Sequence, residues 1–336
     1  MRTTLETLLS SRDWLLADGA TGTNLFNMGL ASGDAPELWN TDAPEKIKAL
    51  YEGAVFAGSD VFLTNSFGGN ASRLKLHDAQ DRVHELNKAA AAIAREVADA
   101  AEHPVVVAGS IGPTGDIMVP LGPLTFEDAA DMFEAQARGL LDGGADVLWV
   151  ETISAPEELR AAAEGIARTG ASWCGTMSFD TAGRTMMGVT AADMVRLVGE
   201  LPHQPLAFGA NCGVGASDLL RTVLGFSAAS PSLPIIAKGN AGIPKFVEGH
   251  IHYDGTPALM ADYAVMARNC GARIIGGCCG TTPEHLRVMR AALEAMPEKG
   301  DAPDLPSIAA ALGDFSSQSD GSEGAAQRPA RRRRRG

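Results

Sequence analysis

The sequence predicts a single (β/α)8 TIM barrel over residues 1–296, followed by a disordered tail over 297–336. Three observations predict it. Eight short apolar runs alternate with segments of helical period. The chain has 336 residues, which suits one such barrel at about 250 residues plus insertions. Polar residues and glycines collect at the same end of every βα unit except the fifth.

The strand candidates, in order, are Trp14–Ala20, Asp60–Ser66, Pro104–Gly109, Asp146–Thr152, Ser172–Phe179, Leu206–Asn211, Leu233–Gly239 and Ala272–Cys278. Their Val, Ile, Leu, Ala and Phe content fits strands buried on both faces. Helical period marks Pro44–Ala57, Arg82–Ala101, Glu127–Leu141 and Thr256–Asn269 between them. Ser154 and Thr125 each stand three residues before an acid, as helix caps do. Thr282-Pro283 sets a cap before a first-turn proline, and Gly58, Gly143-Gly144 and Gly271 close helices before strands. A doubly wound open sheet is the rival, and eight alternations favour closure.

Hydrophobic residues make up 45% of the chain, enough for a large core. No apolar run approaches the roughly 18 residues of a membrane helix. Met1–Asp13 does not read as a secretory signal. Five cysteines, an odd number in a long chain, argue for a reducing cytoplasm rather than a disulfide framework. Removing the six arginines of residues 328–336 from the net charge of −13 leaves −19 on the rest. So acidic a body disfavours nucleic acid as the main ligand. From Pro297 the chain is rich in Pro, Ser, Asp and Gly. Its arginine run reads either as a solvated tail or as a contact for an acidic partner or RNA.

Barrel active sites lie at the C-terminal ends of strands. Asp18 and Gly19 close the first strand, Asn65 the second, Glu151 the fourth, Asn211-Cys212 the sixth and Cys278-Cys279 the eighth. Adjacent strand cysteines point to opposite faces unless the backbone leaves strand geometry, which Gly276, Gly277 and Gly280 would permit. Three dispersed thiols fit a catalytic Zn2+ with one open position, where a substrate thiol would bind deprotonated. Glu151 follows a buried run, where an unpaired acid is costly. It is expected to take the ammonium of an amino-acid substrate, with Asp18 as second acid. Cys174 and Cys270 read as core. His250-Ile-His252 lacks a third metal ligand nearby, and His285 reads as packing or capping. Gly109-x-x-Gly112-x-x-Gly115 contains Pro113 and is no phosphate loop.

Asp18-Gly-Ala-Thr-Gly-Thr23, Gly209-Ala-Asn-Cys-Gly213 and Gly276-Gly-Cys-Cys-Gly-Thr-Thr-Pro-Glu-His285 together resemble the homocysteine S-methyltransferase family, over roughly residues 12–295. The resemblance implies zinc on Cys212, Cys278 and Cys279, homocysteine held by Asp18 and Glu151, and methionine as product. It implies a direct displacement in which a zinc-held homocysteine thiolate attacks the donor methyl carbon. Trp39 is a candidate wall for a betaine ammonium, through a cation–π contact. Thr152 and Phe67-Gly68 stand where the family's betaine enzymes carry tyrosines, and both are closer to its methionine-synthase module. In that second reading a separate corrinoid protein delivers the methyl group, and the arginine tail docks it. Three rivals remain, a non-catalytic zinc or thiol-binding module, an unrelated barrel enzyme and a nucleic-acid binder through the tail. The barrel enzyme would want a strand-end lysine, and Lys238 is the one candidate.

Overall fold

The structure is a computed structural model that describes residues 2–243, 245–247 and 250–322, without the side chains of residues 245–247 and 250–252. Its strands are β1 (Leu15–Leu16), β2 (Val61–Leu63), β3 (Val106–Ile111), β4 (Val147–Ile153), β5 (Trp173–Met177), β6 (Ala207–Cys212), β7 (Ile235–Gly239), β8 (Lys245–Val247), β9 (His250–His252) and β10 (Ala272–Gly277). Eight of them form one parallel sheet in the order β1-β10-β7-β6-β5-β4-β3-β2. A parallel bridge between Ala17 and Val61 joins its edges, so the sheet is a (β/α)8 barrel and not an open doubly wound sheet. No helix among the described residues is long and apolar enough to cross a membrane.

Helices cover the outside. Pro44–Phe56, Val83–Ala100, Phe126–Asp142 and Pro257–Cys270 agree with their expected ranges within a residue. Thr125 caps the third of these by accepting from Asp128 N–H. Ser154 does not cap. The helix Pro156–Ala167 starts on Ala155, and Pro156 supplies the first turn instead.

Alternate strand residues point into the barrel. Its lower interior is apolar and includes Leu15, Val61, Val106, Trp149, Cys174 and Ile236. The helix Leu5–Ser11, which the sequence pattern did not reveal, adds buried Leu5 and Leu8 to the same cluster. Thr4 caps that helix through Thr7 N–H. One step further up the strands the inward positions turn polar: Ser110, Glu151, Thr176, Asn211, Lys238 and Cys278. The floor of the barrel is therefore dry, and its upper layer carries the chemistry.

Residues 297–322 depart from the expected disordered tail. A helix at Leu305–Leu312 buries Ile308 and Leu312 against the barrel wall. Two aliphatic anchors in eight residues are too few to stand out from a low-complexity stretch. Arg328 and Arg331–Arg335 lie outside the described residues.

The β1–β2 seam rests on Asp60, whose side chain is fully buried. It accepts from Leu16 N–H at 2.8 Å, pairs with Arg290 at 3.0 Å and also pairs with Arg12. Truncating it would leave a buried strand N–H unsatisfied and Arg12 without this partner, while Arg290 would keep only Glu294 and Gly58 O. Asp60→Ala should therefore cost about 3–5 kcal/mol in urea unfolding. A loss below about 1 kcal/mol would show that the seam closes without it.

Candidate metal centre

Three loops build the centre. Cys212 ends β6 with φ 61° and Gly213 follows with φ 72°, so the chain turns off the strand and swings the thiol toward the barrel mouth. Cys278 and Cys279 follow β10. Between them stands β7, whose Gly239 is in register with both Cys212 and Gly277. Cys278 N–H donates to Gly239 O at 2.7 Å. The three Sγ atoms all lie within 4.8 Å of one another, with Cys212 and Cys279 3.9 Å apart.

The glycines achieve this differently from the expectation. Only Gly280 has positive φ, at 79°. Gly277 is required for close approach, since a Cβ there would lie 2.3 Å from the Thr281 side chain. The β1 loop thus packs directly on the cysteine loop: Gly277 N–H donates to Asp18 O at 2.9 Å and Ala20 N–H to Thr281 O at 3.1 Å. Gly19 belongs to the same contact, as its Cβ would lie 2.8 Å from Thr281 O.

Two asparagines fix the thiols. Asn240, after β7, accepts from Cys279 N–H at 3.0 Å and donates to Gly213 O at 3.0 Å, joining both cysteine loops. Asn211 accepts from Thr152 N–H at 2.9 Å and from Thr176 Oγ1 at 2.7 Å. Its amide donates to Thr152 Oγ1 at 2.7 Å and lies 3.8 Å from Cys278 Sγ. Asn211 therefore orients a thiol and the residue after Glu151. Tyr253 packs against Gly280, beside these thiols.

The thiols do not ionise independently. Hydrogen bonds from Cys212 and Cys278 push Cys279 down to about 3. The same contacts push Cys212 far above its ordinary value. One thiolate is stabilised and further ones are opposed, so a doubly charged cation is what would let all three ionise.

Below the thiols lies a buried charge layer. Lys238 Nζ is 2.5 Å from Asp18 Oδ1 and 5.7 Å from the centre of the Trp149 ring. Burial opposes the Lys238 charge, but Asp18 and Glu151 outweigh it and hold the ammonium above its ordinary range. Asp18 Oδ2 accepts from Leu63 N–H at 2.8 Å. Burial lifts Glu151 to about 7, against the pull of Lys238, and one of its oxygens accepts from Ser110 Oγ at 2.6 Å.

Other expected residues stand apart from this cluster. Asn65 donates to Pro36 O at 2.8 Å and Asn40 Oδ1 at 2.9 Å, and its N–H reaches Tyr51 Oη at 2.6 Å. That is a bracket between loops. Trp39 is packed on the outer core, and Lys46 Nζ covers its ring at 4.1 Å. His285 is a capping residue, with Nδ1 2.8 Å from Thr282 Oγ1 and Nε2 2.9 Å from Gly255 O. The side chains of His250 and His252 are outside the description. Cys174 and Cys270 are buried in the core. Sequence reasoning named Lys238 only for a rival barrel enzyme, noted Asn240 only as following the seventh strand, and did not single out Tyr253. For Lys238 a signal existed: two residues after inward Ile236, it must also face inward.

A sequence profile of the family described as homocysteine S-methyltransferase matches residues 15–293. The methionine synthase of Mycobacterium leprae is 30% identical over 306 residues, 86% of this chain and 25% of that protein. That of Mycobacterium tuberculosis is 31% identical over 296 residues, 83% and 24% respectively. This chain thus spans about a quarter of the length of these relatives. The metallated form of the homocysteine methyltransferase MmuM from Escherichia coli matches with TM-score 0.71 and 26% identity, over 85% of this chain and 99% of that one. Its oxidized form gives 0.70 and 26%, over 85% and 98%.

Asn240→Ala would free both cysteine loops while leaving every thiol in place. Metal affinity should fall about 10–100-fold, measured by competition with a chromophoric chelator, with the far-UV spectrum unchanged. Undiminished affinity would make Asn240 a loop brace only.

Proposed function

The chain belongs to the homocysteine S-methyltransferase family, and on that premise we propose that it methylates the sulfur of homocysteine to form methionine, using zinc held by Cys212, Cys278 and Cys279. The observation that carries this reading is the convergence of three thiols within 4.8 Å at the barrel mouth, with the half-buried Glu151 in the layer below. Three soft sulfur donors at near-tetrahedral spacing fit zinc, and three protein ligands leave one position for a substrate. Zinc, when bound, would supply the positive charge that keeps the substrate thiol ionised at neutral pH.

The remaining work falls to the protein. Glu151 receives the substrate ammonium, because Asp18 is already satisfied by Lys238 and Leu63 N–H. Asp18 thus acts as the counter-ion of Lys238, which sets the charge beneath the substrate. Asn211 and Asn240 hold the thiols, so that the homocysteine sulfur meets the donor methyl carbon in one orientation. The apolar lower barrel excludes water from below.

Betaine or a related onium compound is the first reading of the donor. A methyl group delivered by a separate corrinoid protein is the second, and Trp39 favours it. The Trp39 ring is already covered by Lys46, and so is no free wall for a quaternary ammonium.

The test is methionine formation by zinc-loaded protein. Methionine from betaine alone establishes the first donor, and methionine only with methylcobalamin establishes the second. No methionine with either, from protein that binds zinc and homocysteine, leaves another onium donor, and failure across a series of methylated onium compounds as well leaves a non-catalytic thiol-binding module. Cys279→Ala should lose zinc and turnover together while the barrel stays folded. Full zinc retention would remove Cys279 from the ligand set. Glu151→Gln should raise KM for homocysteine about 10–100-fold with zinc content unchanged. Because burial lifts Glu151 to about 7, its ionised, ammonium-binding form is lost as pH falls through that value. KM in the parent protein should therefore rise below neutrality, and the Gln variant should show no such dependence.

A further inference from the structure

Of the three thiol residues, Cys212 alone has a positive φ, 61°. That is the left-handed region, where a side chain is strained. Such a residue persists only where its surroundings over-determine the turn. On the strand side, the register of β6 with β7 sets Cys212 beside Gly239. On the other side only Gly213, Val214 and Gly215 separate it from the helix Ala216–Ala228. A shift of that helix start is therefore passed straight to the thiol. The helix opens on Gly215, which has no side chain to cap with, so its first turn lacks a brace of its own.

The brace comes from beyond the barrel. The segment that follows the helix Leu305–Leu312 crosses this first turn. Ser217 donates to Gly313 O at 2.6 Å. Asp218 accepts from Ser316 N–H and Ser316 Oγ, both at 3.0 Å. Arg221 donates to Asp218 at 2.6 Å and to Ser317 O at 2.7 Å. Asp218 and Arg221 are each 7% exposed, a buried ion pair that the chemistry of the mouth does not use. The segment then meets the loop after β5, where a Cβ on Gly183 would lie 2.2 Å from the Asp320 carbonyl carbon. That loop reaches the Cys212 turn from its other flank. A Cβ on Gly213 would lie 3.1 Å from Phe179 O, and the Phe179 ring meets Phe226 of the helix Ala216–Ala228 edge-on at 5.6 Å. Residues 313–321 thus brace both flanks of the turn, and they lie outside residues 15–293, which the family profile matches.

We propose that residues 313–321 are a positioning element for Cys212, acting chiefly through Asp218, and that they hold this thiol at the spacing a metal needs. This rests on the reading of Cys212 as a zinc ligand. Cys278 and Cys279 are adjacent and are placed by one loop, which packs on Gly239 and on the backbone of Asp18. Cys212 arrives from a different strand. The geometry of a three-thiol centre therefore depends on how firmly that arm is held. Asn240 holds it at Gly213 O, and the segment holds it where the chain enters the helix. Coverage of the barrel wall is complete by Leu312, the last buried hydrophobic residue among those described. The residues after it spend their polar groups on the two flanks of Cys212 instead.

The test uses the full chain with Asp218→Ala or Ser316→Pro, and Leu8→Ala as a control that destabilises the barrel floor without touching the clamp. Metal-free, reduced protein is treated with iodoacetamide, and the rate at each cysteine is read by peptide mass spectrometry. In both clamp variants the Cys212 rate should rise about tenfold relative to Cys278 and Cys279. In Leu8→Ala the three rates should keep their ratios. With Co2+ in place of zinc, both clamp variants should lose sulfur-to-cobalt charge-transfer intensity, and affinity should fall about 10–100-fold. A Cys212 rate unchanged in Ser316→Pro would overturn the proposal, and so would a rise shared equally by all three cysteines. Ser316→Pro leaves every residue of the helix Ala216–Ala228 in place, so it decides the matter even where Asp218→Ala fails to fold. A cobalt spectrum unmoved by Cys212→Ser would remove the zinc reading of that thiol, while the alkylation rates would still decide whether the segment holds it.

Discussion

The ion pair between Lys238 and Asp18 is the interaction on which the upper barrel depends. A period of two along each strand sends every second side chain inward, and the lower positions are apolar and sealed by Leu5 and Leu8. Any charge above that floor sits in a medium where an unpaired ion is expensive. Lys238 and Asp18 offset each other across the barrel, from β7 to the end of β1. Asp18 also takes the Leu63 N–H of β2, so a single carboxylate ties the first, second and seventh strands. The cysteine loop then packs on the backbone of that same residue, through Gly277 N–H to Asp18 O. Thiol placement is thus mechanically downstream of a charge pair that touches no thiol.

This explains how Asp18 and Glu151 can sit in one layer with different tasks. Asp18 is buried and Glu151 half-buried, and desolvation raises both. Lys238 is bonded to one and only near the other. Asp18 is paired before any substrate arrives. Glu151 stays poised near neutrality, where a second ammonium gains most from meeting it.

Strand order, helix limits and the three thiols were legible because each has a local signal: apolar runs, glycine stops and a Gly-Gly-Cys-Cys-Gly motif at a strand end. What escaped depends on neighbours distant in sequence. The helix Leu5–Ser11 has seven residues and is held by two leucines entering the barrel floor, so periodicity had little to register. Asn65 and Asn211 both follow apolar strand runs, yet one braces loops and the other lies 3.8 Å from Cys278 Sγ. Only their partners separate the two, the Pro36 carbonyl and Asn40 in one case and Thr152 and Thr176 in the other. Trp39 shows the same dependence on neighbours: an aromatic ring invites a cation, and the structure sets Lys46 of the same chain over it.

Residues 297–322 show how a stretch of low complexity is nonetheless ordered. Gly313–Gly321 is held by Ser217, Asp218, Arg221 and Gly183. The cost of ordering the segment is offset by buried Ile308 and Leu312 and by the Arg221 guanidinium over the Phe315 ring, 4.7 Å from its centre. Each of these anchors lies on the barrel wall, distant in sequence, so the segment's own composition carries no sign of them.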